Sequence, residues 1–194
     1  MAKVSLDALL PREDFDIDET QNSAKKKESF SISDLREDDF FYLTLRKPDF
    51  QRETNEWTPQ KISELIKSFI NGELIPAVIL WRSKGGYNFV IDGSHRVSSL
   101  VAWINDDYGD GPITKESFNG SIPEEQIQVG EKTRRLVEKE IGKYKDYQIA
   151  LKFPERVSEE IKRKAKNLGS IAVQLQWVEG DADVAEASFF KINQ

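Results

Sequence analysis

An apolar run ends in a polar glycine turn in the segment Phe89-Val90-Ile91-Asp92-Gly93-Ser94-His95-Arg96. The apolar residues predict a buried strand that ends near Asp92, and Gly93 predicts a tight turn after it. From Val97 onward, apolar residues recur at helical spacing, so a helix is expected next. A helix that begins at such a turn presents backbone N–H groups and the positive end of its dipole to an anion. The segment therefore predicts a phosphate-binding turn between a strand and a helix.

The side chains of this turn are suited to an anionic ligand. Gly93 leaves room for a close approach, Ser94 offers a hydroxyl donor, and Arg96 offers a fork of N–H donors. His95 can donate to a phosphate or act as an acid or base near neutral pH. Asp92 can position either a metal ion or Arg96, which makes Asp92 and His95 the candidate catalytic residues. The alternative is an ordinary surface turn in which Arg96 pairs with Asp92.

Helices and strands on both sides of the turn are marked by local signals. Thr58 is a helix N-cap and Pro59 a first helical residue, and apolar residues at helical spacing follow as far as Gly72. Two apolar runs around Gly85-Gly86 predict a β-hairpin over 77–91. Further elements are expected as strands over 40–45, 146–153 and 173–177, and as helices over 158–168 and from about 183 to 190.

The chain divides into an N-terminal segment and one domain. Residues 1–38 show no sustained periodicity, so a flexible segment is expected there. Residues 39–194 are predicted to form the domain, with a loop-rich insertion at about 107–145 where glycine and proline turn signals occur. The chain stops at Gln194 inside an unfinished segment, so we expect either a trimmed chain or a following effector region.

The composition narrows the chemistry. The 194 residues include no cysteine and one histidine, which excludes disulfides, thiolate catalysis and a cysteine–histidine zinc site. No set of metal ligands is predicted, although carboxylates could hold Mg²⁺. The formal net charge of −6 disfavours non-specific binding to DNA phosphates. Because no apolar run could span a bilayer and no secretory signal begins the chain, a cytoplasmic protein without a membrane partner is expected.

Several motifs follow one another along the chain, namely Pro48-Asp49-Phe50-Gln51-Arg52, Trp57, Ile75-Pro76, Asp92-Gly93-Ser94-His95-Arg96 and Phe189-Phe190-Lys191-Ile192-Asn193-Gln194. Their order resembles that of the ParB/sulfiredoxin-like superfamily. The branch most similar to this chain carries an Asp-Gly-Gln-Gln-Arg motif and serves in restriction and anti-phage defence. The resemblance covers residues 40–105 well and residues 171–194 more loosely.

This resemblance implies an α+β domain of ParB/sulfiredoxin-like type, with a mixed sheet and flanking helices. It implies a nucleoside triphosphate as ligand, often with Mg²⁺, and it brings Arg52 to the phosphates beside Arg96. Ser94-His95 replaces the Gln-Gln of that branch, which leaves hydrolysis and the choice of nucleotide open. Ser94 also replaces the cysteine of the sulfiredoxin Gly-Cys-His-Arg motif, so sulfiredoxin chemistry is excluded.

The leading hypothesis is a nucleotide-binding sensor or regulatory domain of a DNA restriction or anti-phage defence system. Its phosphate-binding residues would be Arg52, Gly93, Ser94, His95 and Arg96. The expected partners are the nucleotide, DNA reached through a partner or effector region, and a second copy of the chain. Two alternatives stay open: a non-catalytic DNA-binding module of partition type, and a protein-interaction module. Direct nuclease activity is not expected, since one histidine and scattered carboxylates supply no recognisable set of nuclease ligands.

Overall fold

The computed structural model describes residues 3–15 and 25–192. Its strands are β1 (Arg12–Glu13), β2 (Ser29–Ser31), β3 (Leu45–Pro48), β4 (Val78–Arg82), β5 (Asn88–Asp92) and β6 (Ala172–Val178). Its α-helices are α1 (Phe40–Thr44), α2 (Pro59–Ile70), α3 (Ser94–Asn105), α4 (Pro112–Ser117), α5 (Glu124–Glu140), α6 (Tyr144–Lys152), α7 (Glu159–Leu168) and α8 (Ala182–Ile192). Within the described ranges, no helix has the length and apolar character needed to cross a membrane.

The strands form one mixed sheet in the order β1-β3-β5-β4-β6-β2. The central strand β5 lies parallel to β3 and antiparallel to β4. Strand β6 lies parallel to β4 and antiparallel to β2, and the short β1 lies parallel to β3 at the other edge. The predicted α+β fold, with a mixed sheet and flanking helices, is therefore confirmed.

Strand β5 is buried on both faces of the sheet. Val90 belongs to the main core, which includes apolar residues of α2 and α3. Phe89 and Ile91 point to the other face, where they join Trp81 and residues of α8 in a second cluster. A strand covered on both sides reads as a continuous apolar run, which is the pattern from which it was predicted.

The elements next to the turn are confirmed with small shifts of boundary. Helix α2 begins at Pro59, and Thr58 Oγ1 accepts a hydrogen bond from the backbone N–H of Lys61 at 3.4 Å. Strands β4 and β5 pair as the predicted hairpin. Farther along, α7, β6 and α8 occupy the regions expected for them. These elements were predictable because their caps and periodicities are local.

The strand predicted over 40–45 is wrong. Those residues form helix α1, and the strand β3 begins only at Leu45. The reason is a cap, since Asp39 accepts a hydrogen bond from the backbone N–H of Phe41 at 2.8 Å and starts one helical turn. An aromatic run with high strand propensity therefore becomes helical under a local capping interaction.

The strand predicted over 146–153 is also wrong, because this segment is helix α6. Tyr147 and Ala150 are buried and lie three residues apart, which is helical rather than alternating spacing. Asp146 accepts a hydrogen bond from the backbone N–H of Lys143 at 3.1 Å and closes the first turn. The buried face of α6 thus decides its conformation.

The loop-rich insertion expected at about 107–145 contains the helices α4 and α5 instead. Asp107 is fully buried and accepts hydrogen bonds from the backbone N–H groups of Gly109, Gly111 and Thr114, at 2.8–3.1 Å. Its carboxylate therefore organises the turn that precedes and begins α4. Val137 of α5 is also fully buried and joins the main core. The glycine and proline signals mark turns between helices, and the segment packs against the main core.

The N-terminal segment predicted to be flexible is largely packed where it is described. Its residues in the main core are at most 5% exposed and comprise Val4, Leu6, Leu9, Leu10, Phe30, Ile32 and Leu35. Leu6 donates its backbone N–H to the carbonyl of Thr54 at 2.9 Å, and Val4 does the same to Trp57. Residues 1–2 and 16–24 of this segment lie outside the described residues, as do Asn193 and Gln194 of the C-terminal motif. Short apolar stretches without periodicity pack here because other segments supply the partners.

Candidate functional site

The turn between β5 and α3 is built around Gly93, which has φ of 102°. This left-handed conformation is one that side-chain-bearing residues rarely adopt. A Cβ atom at this position would lie 2.9 Å from Arg96 Nη2 and 3.1 Å from Val78 Cγ2. The position therefore requires glycine for its backbone conformation and for the space that the Arg96 guanidinium occupies.

Asp92 orients Arg96 across this turn. Arg96 Nη2 donates to Asp92 Oδ2 at 2.7 Å and to the carbonyl of Ala77 at 3.1 Å. The ion pair expected in the surface-turn alternative is thus present. Arg96 Nε is nevertheless buried and has no hydrogen-bond partner among the described residues. The Arg96 guanidinium is therefore held through Nη2, while its Nε–H donor has no acceptor among the described residues.

The turn opens into a pocket of about 430 Å³. Its walls come from three parts of the chain: the loop that follows β3, the β5–α3 turn, and the end of α8. All six predicted site residues line it, namely Arg52, Asp92, Gly93, Ser94, His95 and Arg96. The structure therefore brings Arg52 of the first motif to the Asp92–Arg96 motif, which lies about 40 residues later in the sequence.

Gln51 is a pocket residue that the sequence analysis did not single out. Its side chain is buried, and Nε2 donates to Ser94 Oγ at 3.5 Å. Its Oε1 is buried without a partner among the described residues. A buried polar atom without a partner costs about 1–3 kcal/mol, so a ligand that donates here would recover that cost. The signal in the sequence was its place in the Pro48–Arg52 motif, next to Arg52.

The charges around the pocket are mixed. Arg52 is exposed and forms no hydrogen bond or ion pair within the described residues, so its charge is available to a ligand. Glu53 and Glu56 also line the pocket, and Glu56 pairs with Lys3 at 2.6 Å. An anionic ligand would therefore contact two arginines but would also lie near carboxylates. A cation bound with the ligand would reduce the repulsion between the ligand and these carboxylates.

His95 stacks on Trp57, with ring centroids 5.4 Å apart and an interplanar angle of 22°. Its Nε2 accepts a hydrogen bond from the backbone N–H of Glu56 at 3.4 Å. Burial lowers the pKa of His95 below its ordinary value, and the opposing effect of the Glu56 carboxylate is smaller. His95 is therefore neutral at pH 7, with Nε2 as its acceptor nitrogen and the proton on Nδ1. Trp57 itself packs against the main core.

We expect acidification to destabilise the protein through His95. Because the folded-state pKa is lowered, the unfolded chain binds more protons between that value and about 6.5, and stability falls as the pH falls through this window. The loss is at most about 1.4 kcal/mol per pH unit. Thermal unfolding at pH 7.5 and 5.5 should show a larger decrease for the wild type than for His95→Gln. Equal decreases would contradict the lowered pKa.

A comparison with protein families gives one match that spans nearly the whole chain. The family is described as the GmrSD restriction endonuclease, N-terminal domain, and the match covers residues 15–194. The chain belongs to this family. The family is a component of restriction and defence systems, so this part of the functional prediction is confirmed. Comparisons with curated proteins and with solved structures found no match. Membership of the wider ParB/sulfiredoxin-like superfamily stays a prediction.

Residues 3–13, here termed the N-terminal strap, precede the part of the chain that the GmrSD family covers. Asp7 of the strap accepts hydrogen bonds from Lys47 Nζ at 2.5 Å and from the backbone N–H of Thr54 at 2.9 Å. Arg12 donates to the same carboxylate and to the backbone carbonyls of Asp49 and Gln51. The strap therefore holds the loop that places Gln51 and its neighbour Arg52 in the pocket of this GmrSD domain. Sequence analysis missed it because its polar residues are isolated.

Proposed function

We propose that this GmrSD N-terminal domain binds a nucleoside triphosphate in the pocket at the Gly93 turn. One observation carries the proposal. Gln51 Oε1 and Arg96 Nε, an acceptor and a donor, are both buried and unpartnered among the described residues, and both residues line the pocket at the N-terminus of α3. Such a pair of groups suits a ligand that carries hydroxyl donors as well as anionic oxygens, as a nucleotide does.

The phosphates would be held by groups of several kinds. The first backbone N–H groups of the 12-residue helix α3 have no intrahelical acceptor and no side-chain cap at Gly93, so they offer donors and a favourable dipole. Ser94 and Arg96 add a hydroxyl and a guanidinium, and Arg52 adds a charge that no described residue pairs. Within the described ranges, no three potential metal-binding side chains lie together. We therefore expect Mg²⁺ to enter with the triphosphate and to offset the repulsion from nearby carboxylates.

Hydrolysis of the nucleotide is the finer part of the proposal. Asp92 is engaged by Arg96, whereas His95 is neutral and its imidazole lies in the pocket wall. Of the two predicted catalytic residues, His95 is the better candidate to accept a proton from an attacking water molecule, because its Nε2 would have to give up only the long hydrogen bond from the Glu56 N–H. Binding without hydrolysis would leave the domain as a nucleotide sensor for an effector region or partner of the restriction system. A cytoplasmic location, where triphosphates are available, belongs to the same proposal.

The proposal is tested by calorimetric titration with ATP, GTP, CTP and UTP in the presence of Mg²⁺. We expect Arg96→Ala to weaken binding about 10- to 150-fold, because one charge-assisted interaction with a phosphate contributes about 1.5–3 kcal/mol. Arg135→Ala is a matched control, since Arg135 also pairs with a carboxylate four residues before it but does not line the pocket. The Arg135→Ala variant should bind each triphosphate with the affinity of the wild type.

The absence of binding by any of the four triphosphates to well-folded protein would overturn the proposal. The alternatives would then be a non-catalytic DNA-binding module or a protein-interaction module. DNA binding would be recognised by an affinity that falls steeply as salt rises. The net charge of −6 gives that alternative no support.

A further inference from the structure

An aromatic cluster forms another wall of the same pocket. Phe50 follows β3, and Phe189 and Phe190 lie near the end of α8. The rings of Phe50 and Phe190 stack, with centroids 5.6 Å apart and an interplanar angle of 22°. Phe189 meets both rings at steep angles, with centroids 5.2 Å and 5.5 Å away.

The cluster combines packed aromatic rings with rings that are partly exposed to solvent. Phe189 is buried, and Phe15 meets the Phe50 ring edge-on with centroids 5.4 Å apart. By contrast, Phe50 is 38% exposed and Phe190 is 51% exposed. The packed rings hold the outer pair in place, so little side-chain freedom is lost when a ligand binds against it.

We propose that Phe50 and Phe190 form a stacking surface for the base of the bound nucleotide. The proposal rests on the proposed function, because the aromatic wall and the Gly93 turn line one pocket. A rigid aromatic face stacks on the π-face of any nucleobase, and such contacts add affinity in sites that also bind phosphate. The ligand class would therefore be a compound with both a phosphate chain and an aromatic ring.

This assignment separates nucleotides from other phosphate compounds. Inorganic triphosphate could use the turn but not the aromatic wall, so it would bind more weakly than a nucleotide. Phenyl rings carry no hydrogen-bonding groups, so the wall itself would favour no particular base. Any preference among bases would come from polar side chains of the pocket, such as that of Gln51.

The test compares ATP, UTP and inorganic triphosphate, each with Mg²⁺, by calorimetry. In the wild type we expect the nucleotides to bind about 5- to 150-fold more tightly than inorganic triphosphate, the range expected from stacking one base. Phe190→Ala should remove most of this advantage while inorganic triphosphate binds as before. Phe190→Trp should keep it, and Phe190→Leu should lose much of it, which distinguishes stacking from general apolar contact.

Phe40→Ala is the matched control, because Phe40 is 86% exposed and does not line the pocket. It should bind every ligand as the wild type does. Equal affinities of nucleotide and inorganic triphosphate, both lost in Arg96→Ala, would overturn the stacking surface and leave the phosphate site intact. If no triphosphate compound binds, both proposals fail together.

Discussion

Replacing Asp7 with alanine should lower the free energy of unfolding by about 3–5 kcal/mol. Lys47 is fully buried, and its ammonium group donates to the Asp7 carboxylate at 2.5 Å and to the Asp7 carbonyl at 2.8 Å. Without the carboxylate, a buried charge loses its countercharge, and Arg12 and the Thr54 N–H lose an acceptor. A loss of this size is a large part of the stability of an ordinary domain.

Chemical denaturation measures this effect directly. Asp38→Ala is the control, because its ion pair with Arg36 is well exposed to solvent and should contribute little to stability. The double variant Asp7→Ala/Lys47→Met should recover part of the loss, since it removes the unpaired buried charge as well. If Asp7→Ala and Asp38→Ala destabilise the protein equally, the strap does not have the role assigned to it.

The same interaction has a dependence on pH. Burial raises the pKa of Asp7, but hydrogen bonds from Arg12 and Lys47 outweigh that effect and hold the pKa below its ordinary value. A carboxyl group with a lowered pKa stabilises the folded state fully above its ordinary pKa and loses this contribution as the pH falls through the folded-state value. The stability difference between the wild type and Asp7→Ala should therefore shrink under strongly acidic conditions.

Replacing Gly93 with alanine should have the largest effect on the site itself. The left-handed backbone of Gly93 would be strained by about 1–3 kcal/mol in the variant. In addition, the new Cβ atom would press on Arg96 Nη2 and Val78 Cγ2. We expect Arg96 to be displaced, with a loss of nucleotide affinity of about tenfold or more, as for one charge-assisted hydrogen bond.

Gly120→Ala isolates the backbone contribution to this result. Gly120 has a similar φ of 93°, and nothing lies within 4 Å of the Cβ position. Both variants should therefore be destabilised by backbone strain, which chemical denaturation measures. Only Gly93→Ala should bind the nucleotide more weakly, which calorimetry measures. Wild-type affinity in a folded Gly93→Ala variant would show that the space around Arg96 is not required for the ligand.

Part of the site could be predicted because its signals are contained in one short segment. An apolar run, a glycine and a helical repeat follow one another from Phe89 to Ile104, and each acts within a few residues. The resemblance to known motifs added Arg52, which the structure brings to the same pocket. Gln51 could not be assigned in this way, because its importance lies in a buried oxygen that no sequence pattern reveals.

By itself, the sequence determined the β5–turn–α3 unit, the capped helix α2, the β4–β5 hairpin and the alternating strand β6. Periodicity, capping and glycine conformation are local properties, so they can be read from neighbouring residues. The helical turn at 40–44 also has a local cause, the Asp39 cap, which the sequence analysis overlooked. Only the tertiary structure decided the helical state of 144–152, the packing of the N-terminal strap and the aromatic wall. Those features depend on burial and on contacts between distant residues, as where Phe50 meets Phe190 or Asp7 meets Lys47, and such contacts override local propensity.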